Sequence, residues 1–423
     1  MRRLDRWKKT LLLALAVASC EWMGAQTATI LPAPVEMTMQ EGYFRLADGM
    51  TICAEKDELH PVADYFAEAM KEMSGVTLKQ VDTDGKKADI RLKISKDLSP
   101  EAYRLTVDAD GVSVEAGGPA GAFYALQSVR LAIQPQDKTG IPRMYVADRP
   151  RFGYRGLMVD VSRYFVGKEE LIKIIDCMSV LKLNKLHLHL TDDNGWRLEI
   201  KKYPRLTSVG AWRVNQTDRP FPDRRNPEPG EPTPIGGYYT QEDMKEIIRY
   251  AAGRCIEIIP EIDMPGHMLA AVSNYDGVSC FKTTGWGTTF SSPVCPGKES
   301  ALEFCKNVYS EIIPLFPYKY IHIGGDEVEK TNWKKCPDCQ KRIREKNLKS
   351  EEELQSWFIH EMEAFFNSQG KDMIGWDEIL EGGLSKTATV MWWRTWAKDA
   401  PMKTTSQGNH IIFTPKLSVL SRL

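Results

Sequence analysis

Tyr320-Ile321-His322-Ile323-Gly324-Gly325-Asp326-Glu327-Val328 is the stretch on which the reading of the chain turns. Its alternating apolar run reads as a buried strand, and the glycine pair frees the backbone to turn sharply where the strand stops. On a regular strand Asp326 and Glu327 would point to opposite faces, so directing both into one pocket requires the strand to end or bulge there. Two acids forced together have their pKa values pushed apart, which gives one ionised group and one proton donor near neutral pH. The plainer reading is a strand-to-helix turn carrying surface acids.

Working outward, the chain from Tyr154 onward alternates strand and helix. Strands are expected at Arg155–Val161, Lys185–Thr191, Cys255–Ile262, Tyr320–Ile323, Lys371–Trp376, Thr387–Trp393 and Asn409–Phe413. Helices are expected at Glu169–Leu183, Gln241–Gly253, Glu299–Phe316 and Glu351–Asn367, each with an apolar face at helical spacing. So many repeats predict an α/β fold, a parallel (β/α)8-type TIM barrel rather than an open sheet. The stretch Tyr203–Tyr239 breaks the rhythm with seven prolines and several arginines. It is expected to be an irregular functional loop over the barrel mouth after the second strand.

Ahead of the barrel, residues 26–148 read as a small α+β domain without a catalytic constellation. Tyr103–Val107 and Val112–Ala116 alternate around Asp110-Gly111, giving a hairpin, and helices are expected at Pro61–Met73 and Ala120–Ile133. Residues 1–25 read as an export signal, with Arg2, Arg3, Arg6, Lys8 and Lys9 before an apolar core too short to span a bilayer. Val17-Ala18-Ser19-Cys20 resembles a lipoprotein box that would leave Cys20 lipidated, while Gly24-Ala25 suits ordinary cleavage and is preferred. Either route leads to the periplasm or the outer membrane. The barrel is assigned to residues 149–423.

The 423 residues carry 56 basic and 57 acidic side chains, so bulk charge favours neither nucleic acid nor an anionic membrane. Eleven tryptophans, several late in the chain beside acids, suit a sugar pocket, although buried tryptophan is more often core. The cysteines are scattered. Cys336-Pro337-Asp338-Cys339 has a metal or redox spacing without a second such pair, so a local disulfide or two loop thiols is preferred to zinc. No cofactor and no metal are expected.

In a (β/α) barrel the active site gathers at the C-terminal ends of the strands. Successive predicted strands end in Asp160-Val161-Ser162-Arg163, Asp192-Asp193, Glu261-Ile262-Asp263-Met264-Pro265-Gly266-His267, Asp326-Glu327, Trp376-Asp377-Glu378 and Trp392-Trp393-Arg394. Any one of these could be a helix cap or solvated loop; six in succession are hard to explain that way. His187 and His189 share a strand face and with Asp192 could imitate a metal site, but hydrogen-bonded structure is the preferred reading. His322 reads as core, and Asp193, Asp263 and Glu378 as supporting or loop-anchoring groups.

Arg155–Arg163, His187–Asp193, Glu261–His267 and His322–Val328 closely resemble the β-N-acetylhexosaminidases of glycoside hydrolase family 20. That resemblance implies an exo-acting enzyme on N-acetylhexosamine-containing oligosaccharides or glycoconjugates. It also implies a retaining mechanism in which the substrate's own acetamido oxygen is the nucleophile. By motif position Glu327 would be the acid and base, and Asp326 would orient the acetamido group. Asp192 and His267 would tune the acid, Arg163 would grip the terminal sugar with Asp160 orienting it, and Trp376 and Trp393 would wall the N-acetyl pocket. Family members continue to an eighth strand, whereas Lys416–Leu423 shows no such resemblance. The expectation is a chain truncated after about strand seven, with an inactive sugar-binding remnant as the alternative to a working hydrolase.

Overall fold

The computed structural model describes residues 28–81, 88–216, 218, 227–281 and 291–414. The expected export signal with Cys20 lies outside these residues, as do nine residues of the proline-rich loop, 217 and 219–226, and the Lys416–Leu423 tail. Among the described residues no helix is long and apolar enough to cross a membrane.

The chain divides into two compact units, one formed by the residues up to 153 with 180–182 and the other by 154–179 with the residues from 183. Among the described residues, the first is a seven-stranded mixed sheet in the order Glu36–Arg45, Gly140–Asp148, Tyr103–Val107, Val112–Ala116, Ile90–Ile94, Thr51–Ala54, Lys79–Val81. The expected hairpin is present, with Leu105 opposite Val114. The expected helices run His60–Ser74 and Pro119–Ala132 and bury Phe66, Met70, Phe123, Leu126 and Val129. Both carry proline in the first turn, where its missing N–H costs no helical hydrogen bond.

Among the described residues, the second unit is built on seven parallel strands: β1 (Gly156–Asp160), β2 (Lys185–Asp192), β3 (Glu257–Ile262), β4 (Tyr320–His322), β5 (Asp372–Trp376), β6 (Thr389–Trp392) and β7 (Ile411–Phe413). Each pairs with the next in parallel register. The crossover helices include α1 (Lys168–Val180), α2 (Gln241–Ala252), α3 (Glu299–Leu315) and α4 (Glu351–Ser368). Sequential parallel order with helical crossovers is the (β/α)8 barrel arrangement expected from the sequence. Strand burial follows: β2 and β3 are buried along almost their whole length, as strands covered on both faces must be. Outside them, Leu171, Ile175, Met178, Ile247 and Ile312 join one continuous core.

The register also sets a polar layer inside the barrel. Asp160 stands opposite His189, His189 opposite Glu261, and Glu261 opposite His322. One expectation fails in detail: the loop after β2 is not wholly irregular. Pro204 caps a short helix, Arg205–Ser208, and Trp212–Arg213 pairs with Ile235–Gly236. A proline ahead of a helix leaves its hydrogen bonds intact, so proline content alone overstated the irregularity. Of the two alternatives weighed for Cys336 and Cys339, the pair of free thiols is the one found. The eight described cysteines are free thiols, so Cys336 and Cys339 form no local disulfide.

The turn that closes β4 rests on two left-handed glycines, Gly324 (φ +74°) and Gly325 (φ +94°). A Cβ on Gly324 would also sit 1.9 Å from Asp263 Oδ1 and 2.8 Å from Asp263 Cα. Gly370 shares the same φ but faces open space. Gly370→Ala should therefore cost about 1 kcal/mol of left-handed strain, and Gly324→Ala on the order of 3 kcal/mol more from the added clash. Urea unfolding of both variants measures this; equal losses would show that the contact with Asp263 carries no weight.

Candidate active site

The site lies where the C-terminal ends of β1 to β6 converge. At β4 the chain leaves the strand through Gly324 and Gly325, and Glu327 itself adopts φ +49°. The turn is held from three sides. His322 Nδ1 accepts the Gly324 N–H at 3.0 Å, Asp263 Oδ1 accepts the Gly325 N–H at 3.1 Å, and Gln355 of α4 donates to the Gly325 carbonyl at 2.8 Å. Burial pushes the His322 imidazole down to about 3, so the ring is neutral and free to accept.

His267, also left-handed at φ +52°, stands between two carboxylate pairs. Its Nε2 lies 3.4 Å from Glu327 Oε2 and 3.6 Å from Asp326 Oδ2. On the other side Nδ1 lies 3.4 Å from Asp192 Oδ1 and 3.5 Å from Asp193 Oδ2. Burial opposes a charge on this ring, but the Asp192 and Asp326 carboxylates prevail and raise its pKa well above the usual imidazole range. Asp192 continues the chain of alternating charges. Arg163 Nη2 is 2.7 Å from its Oδ2, and His189 Nε2 is 2.8 Å away. Burial penalises this carboxylate, yet Arg163 and His267 hold it well below its ordinary range. Asp160 accepts from the Arg163 guanidinium at 3.1 Å and from its backbone N–H at 3.0 Å, fixing the fork.

Asp326 and Asp263 behave as a pair. Burial, followed by the Asp326 charge, raises Asp263 well above the carboxylate range. Burial also raises Asp326, opposed by the His267 charge and by a hydrogen bond from Asp263. Asp263 Oδ2 and Asp326 Oδ1 are buried acceptors without a donor, which one proton carried on Asp263 would satisfy. Asp193 is tied elsewhere, accepting from the Leu269 N–H at 3.1 Å and from the Ser291 hydroxyl.

Glu261 is the buried hub that sequence reasoning gave no role. It accepts from Trp376 Nε1 at 2.7 Å, and His187 Nε2 and His189 Nδ1 each lie 2.7 Å from it. Burial acts against its charge, but the surrounding histidines, His189 first, keep it well below the normal carboxylate pKa. The only hint was its position inside the strand at β3, pointing the same way as the histidines of β2 and β4. Trp376 is thereby fixed, and its ring lies 6.4 Å from that of Trp393, edge to face. Trp393 donates to Glu378 Oε2 at 3.0 Å and contacts Trp396 edge to face at 5.3 Å. Trp396, 63% exposed, had no such signal in the sequence, because it lies beyond the end of β6.

A cleft of about 330 Å³ opens here, lined by Glu327, Glu378, Trp393, Arg394 and Trp396 among others. Of the seven expected site residues, Glu327 and Trp393 line it directly. Asp326, His267, Asp192 and Arg163 reach it through the charge chain, and Trp376 through its ring contact. A convergent set of acids and tryptophans at the C-terminal mouth of a barrel defines a class, the (β/α)-barrel proteins with a carboxylate-bearing cleft.

Residues 152–419 match the catalytic domain of glycosyl hydrolase family 20, and residues 27–149 match domain 2 of the same family. The chain belongs to glycosyl hydrolase family 20. It is 39% identical over 402 residues to a beta-hexosaminidase of Porphyromonas gingivalis, covering 91% of this chain and 50% of that one. A Vibrio furnissii beta-hexosaminidase is 33% identical over 402 residues, covering 92% and 63%. The chain thus spans roughly half to two-thirds of these curated relatives. Among solved structures, a Vibrio harveyi exo beta-N-acetylglucosaminidase in complex with N-acetylglucosamine superposes with a TM-score of 0.81 at 29% identity, covering 92% of this chain and 62% of that one. A Bacteroides fragilis beta-N-acetylhexosaminidase gives 0.78 at 33%, covering 90% and 74%.

Burial first, and then the Asp326 charge, push the Glu378 carboxyl up to about 8. Its folded pKa exceeds the unfolded value of about 4.3, so its contribution to stability is full below that pH and is lost as pH rises to about 8. Glu378→Gln should flatten this decline, which is bounded by about 1.4 kcal/mol per pH unit. Urea midpoints from acid to mildly alkaline pH test it; an unchanged slope in the variant would remove Glu378 as the source.

Proposed function

We propose that the chain is an exo-β-N-acetylhexosaminidase that releases terminal β-linked GlcNAc or GalNAc from oligosaccharides or glycoconjugates. The observation that carries this is the shared imidazole. One edge of His267 meets both Glu327 and Asp326, and its other edge joins Asp192 and so Arg163. Membership of the family supports it, as do relatives named beta-hexosaminidase.

Glu327, on the open side of the cleft, would give its proton to the leaving glycosidic oxygen. The substrate's acetamido oxygen would attack the anomeric carbon as that bond breaks, closing an oxazolinium ring. Asp326 would accept the acetamido N–H and offset the positive charge forming there. The protonated His267 and the donor on Asp263 support its ionised form. Glu327, now a carboxylate, would take a proton from water as the water opens the ring. Arg163, with its fork fixed by Asp160 and Asp192, would hold sugar hydroxyls. Trp376, Trp393 and Trp396 offer apolar faces to the ring and its acetamido group. A leader at residues 1–25 would put the glycans outside the cytoplasm, in the periplasm or at the outer membrane.

Release of 4-nitrophenol from the β-N-acetylglucosaminide, set beside the plain β-glucoside, tests the proposal. Turnover should depend on the acetamido group, and equal cleavage of both would contradict its participation. Glu327→Gln should lower kcat on a poor leaving group by on the order of 10³-fold, and Asp326→Asn by on the order of 10²-fold. Near wild-type rates in either variant would remove that assignment. Arg163→Lys should chiefly raise KM, by about tenfold.

A further inference from the structure

Four cysteines that the sequence scatters over sixty positions meet at one point. Cys280, Cys295, Cys336 and Cys339 are all buried, and their sulfurs lie within 4.8 Å of one another. The closest separations are 3.4 Å for Cys295–Cys339, 3.6 Å for Cys280–Cys339 and 3.7 Å for Cys295–Cys336. A disulfide holds its sulfurs at about 2.0 Å, so none is formed. Four sulfurs about 2.3 Å from a shared tetrahedral centre lie about 3.8 Å apart, close to what is seen. We propose that these four thiols bind one zinc ion, a structural site separate from the cleft.

The surroundings fit a thiolate cluster. Gly297 directs its backbone N–H towards Cys295 and Cys339. A Cβ on Gly297 would lie 2.3 Å from the backbone nitrogen of Cys339, so only glycine allows that approach. Cys336 caps the helix Pro337–Glu345, and Cys339 sits in its first turn, where exposed N–H groups favour negative sulfur. Lys298 donates to the carbonyls of Ser279 at 2.8 Å and of Cys280 itself at 3.1 Å. On binding, four S–H protons leave and four Zn–S bonds form, giving a centre of charge −2 beside these donors. No oxidant or reductant takes part. Four ligands from the protein close the coordination shell, which marks a structural ion.

The ion would join two loops. Cys280 and Cys295 belong to the connection after β3, and Cys336 and Cys339 to the connection after β4. Neighbouring bonds run the same way: Trp333 donates to the Val294 carbonyl at 3.0 Å, and Asn332 to the Ser292 hydroxyl at 2.9 Å. Cys295 in turn takes its N–H to the Val278 carbonyl, and Val294 takes its own to Pro265, two residues from His267. The proposal needs no particular reaction at the cleft, so it stands or falls independently of the glycosidase reading.

Metal analysis of the untagged chain, purified with a thiol reductant, should give one zinc per chain. The double variant Cys336→Ser/Cys339→Ser should lose it, while Cys177→Ser, at an exposed thiol away from the cluster, should keep it. Because the double variant could misfold, the wild-type chain supplies a second readout. Loading metal-stripped protein with cobalt(II) should produce the intense visible bands of tetrahedral four-thiolate coordination. Chelation should raise hydrogen exchange at Val294 and Cys295. Overturning results would be a wild-type chain without metal, iron in place of zinc, a mass two hydrogens lighter per bridge revealing disulfides, or zinc retained after both serine substitutions.

Discussion

A buried turn that must be left-handed is the constraint on which the rest depends. Gly324 and Gly325 bend the chain away from β4, and Glu327 takes a positive φ that costs a non-glycine residue roughly 1–2 kcal/mol. Such a conformation persists only where its surroundings over-determine it. Here they do: His322, Asp263 and Gln355 each hydrogen-bond the turn, and the Gly324 carbonyl accepts from Trp376 N–H at 2.8 Å. At about 1 kcal/mol net for each bond, these are enough to hold the strained residue. The outcome is that two consecutive acids, which a regular strand would send to opposite faces, both reach one imidazole.

Burying so many charges would be ruinous if they were not paired. Glu261, Asp192, His189, His267 and Arg163 alternate in sign along a continuous path from the barrel interior to the cleft. Each is stable because its neighbours are present, so the path behaves as a unit. Removing one member leaves another charge unpartnered, a loss on the order of 3–5 kcal/mol. Such an arrangement gains little net stability over an apolar core. Its effect is to fix which groups are charged: His267 as a cation beside the acids, Asp263 as a proton carrier beside Asp326. Substitutions along it should therefore affect folding and chemistry together, whereas Trp396, exposed on the cleft wall, should affect the cleft alone.

Local pattern carried the sequence reading a long way. The seven strands and four main helices fall within a few residues of where apolar spacing puts them, because each buries a face whose period the sequence displays. Residues at strand ends could be found because a barrel gathers them at one rim. What could not be read are pairings between distant positions. Glu261 meets His187 across 74 residues and Trp376 across 115, and nothing local to Glu261 distinguishes it from any other strand acid. The four cysteines were missed for the same reason. Only Cys336 and Cys339 share a short spacing, and their partners arrive from a different loop. The proline-rich segment failed in the opposite sense, since composition suggested irregularity where a proline merely begins a helix.

The precision of the acid pair comes from backbone packed on backbone, a sturdier device than contacts between flexible side chains. A Cβ on Gly266 would lie 2.8 Å from the Asp326 carbonyl oxygen, so the loops after β3 and β4 touch with no side chain between them. One residue past that contact is His267, and next to its other face are Asp326 and Glu327. The imidazole and the carboxylates are therefore carried on two main chains pressed together, and neither can drift without the other. Met264 N–H bonded to the Ile323 carbonyl at 2.8 Å adds a second tie just below. A site held this way tolerates sequence change in the outer loop, provided the glycines and the contact between the two loops survive.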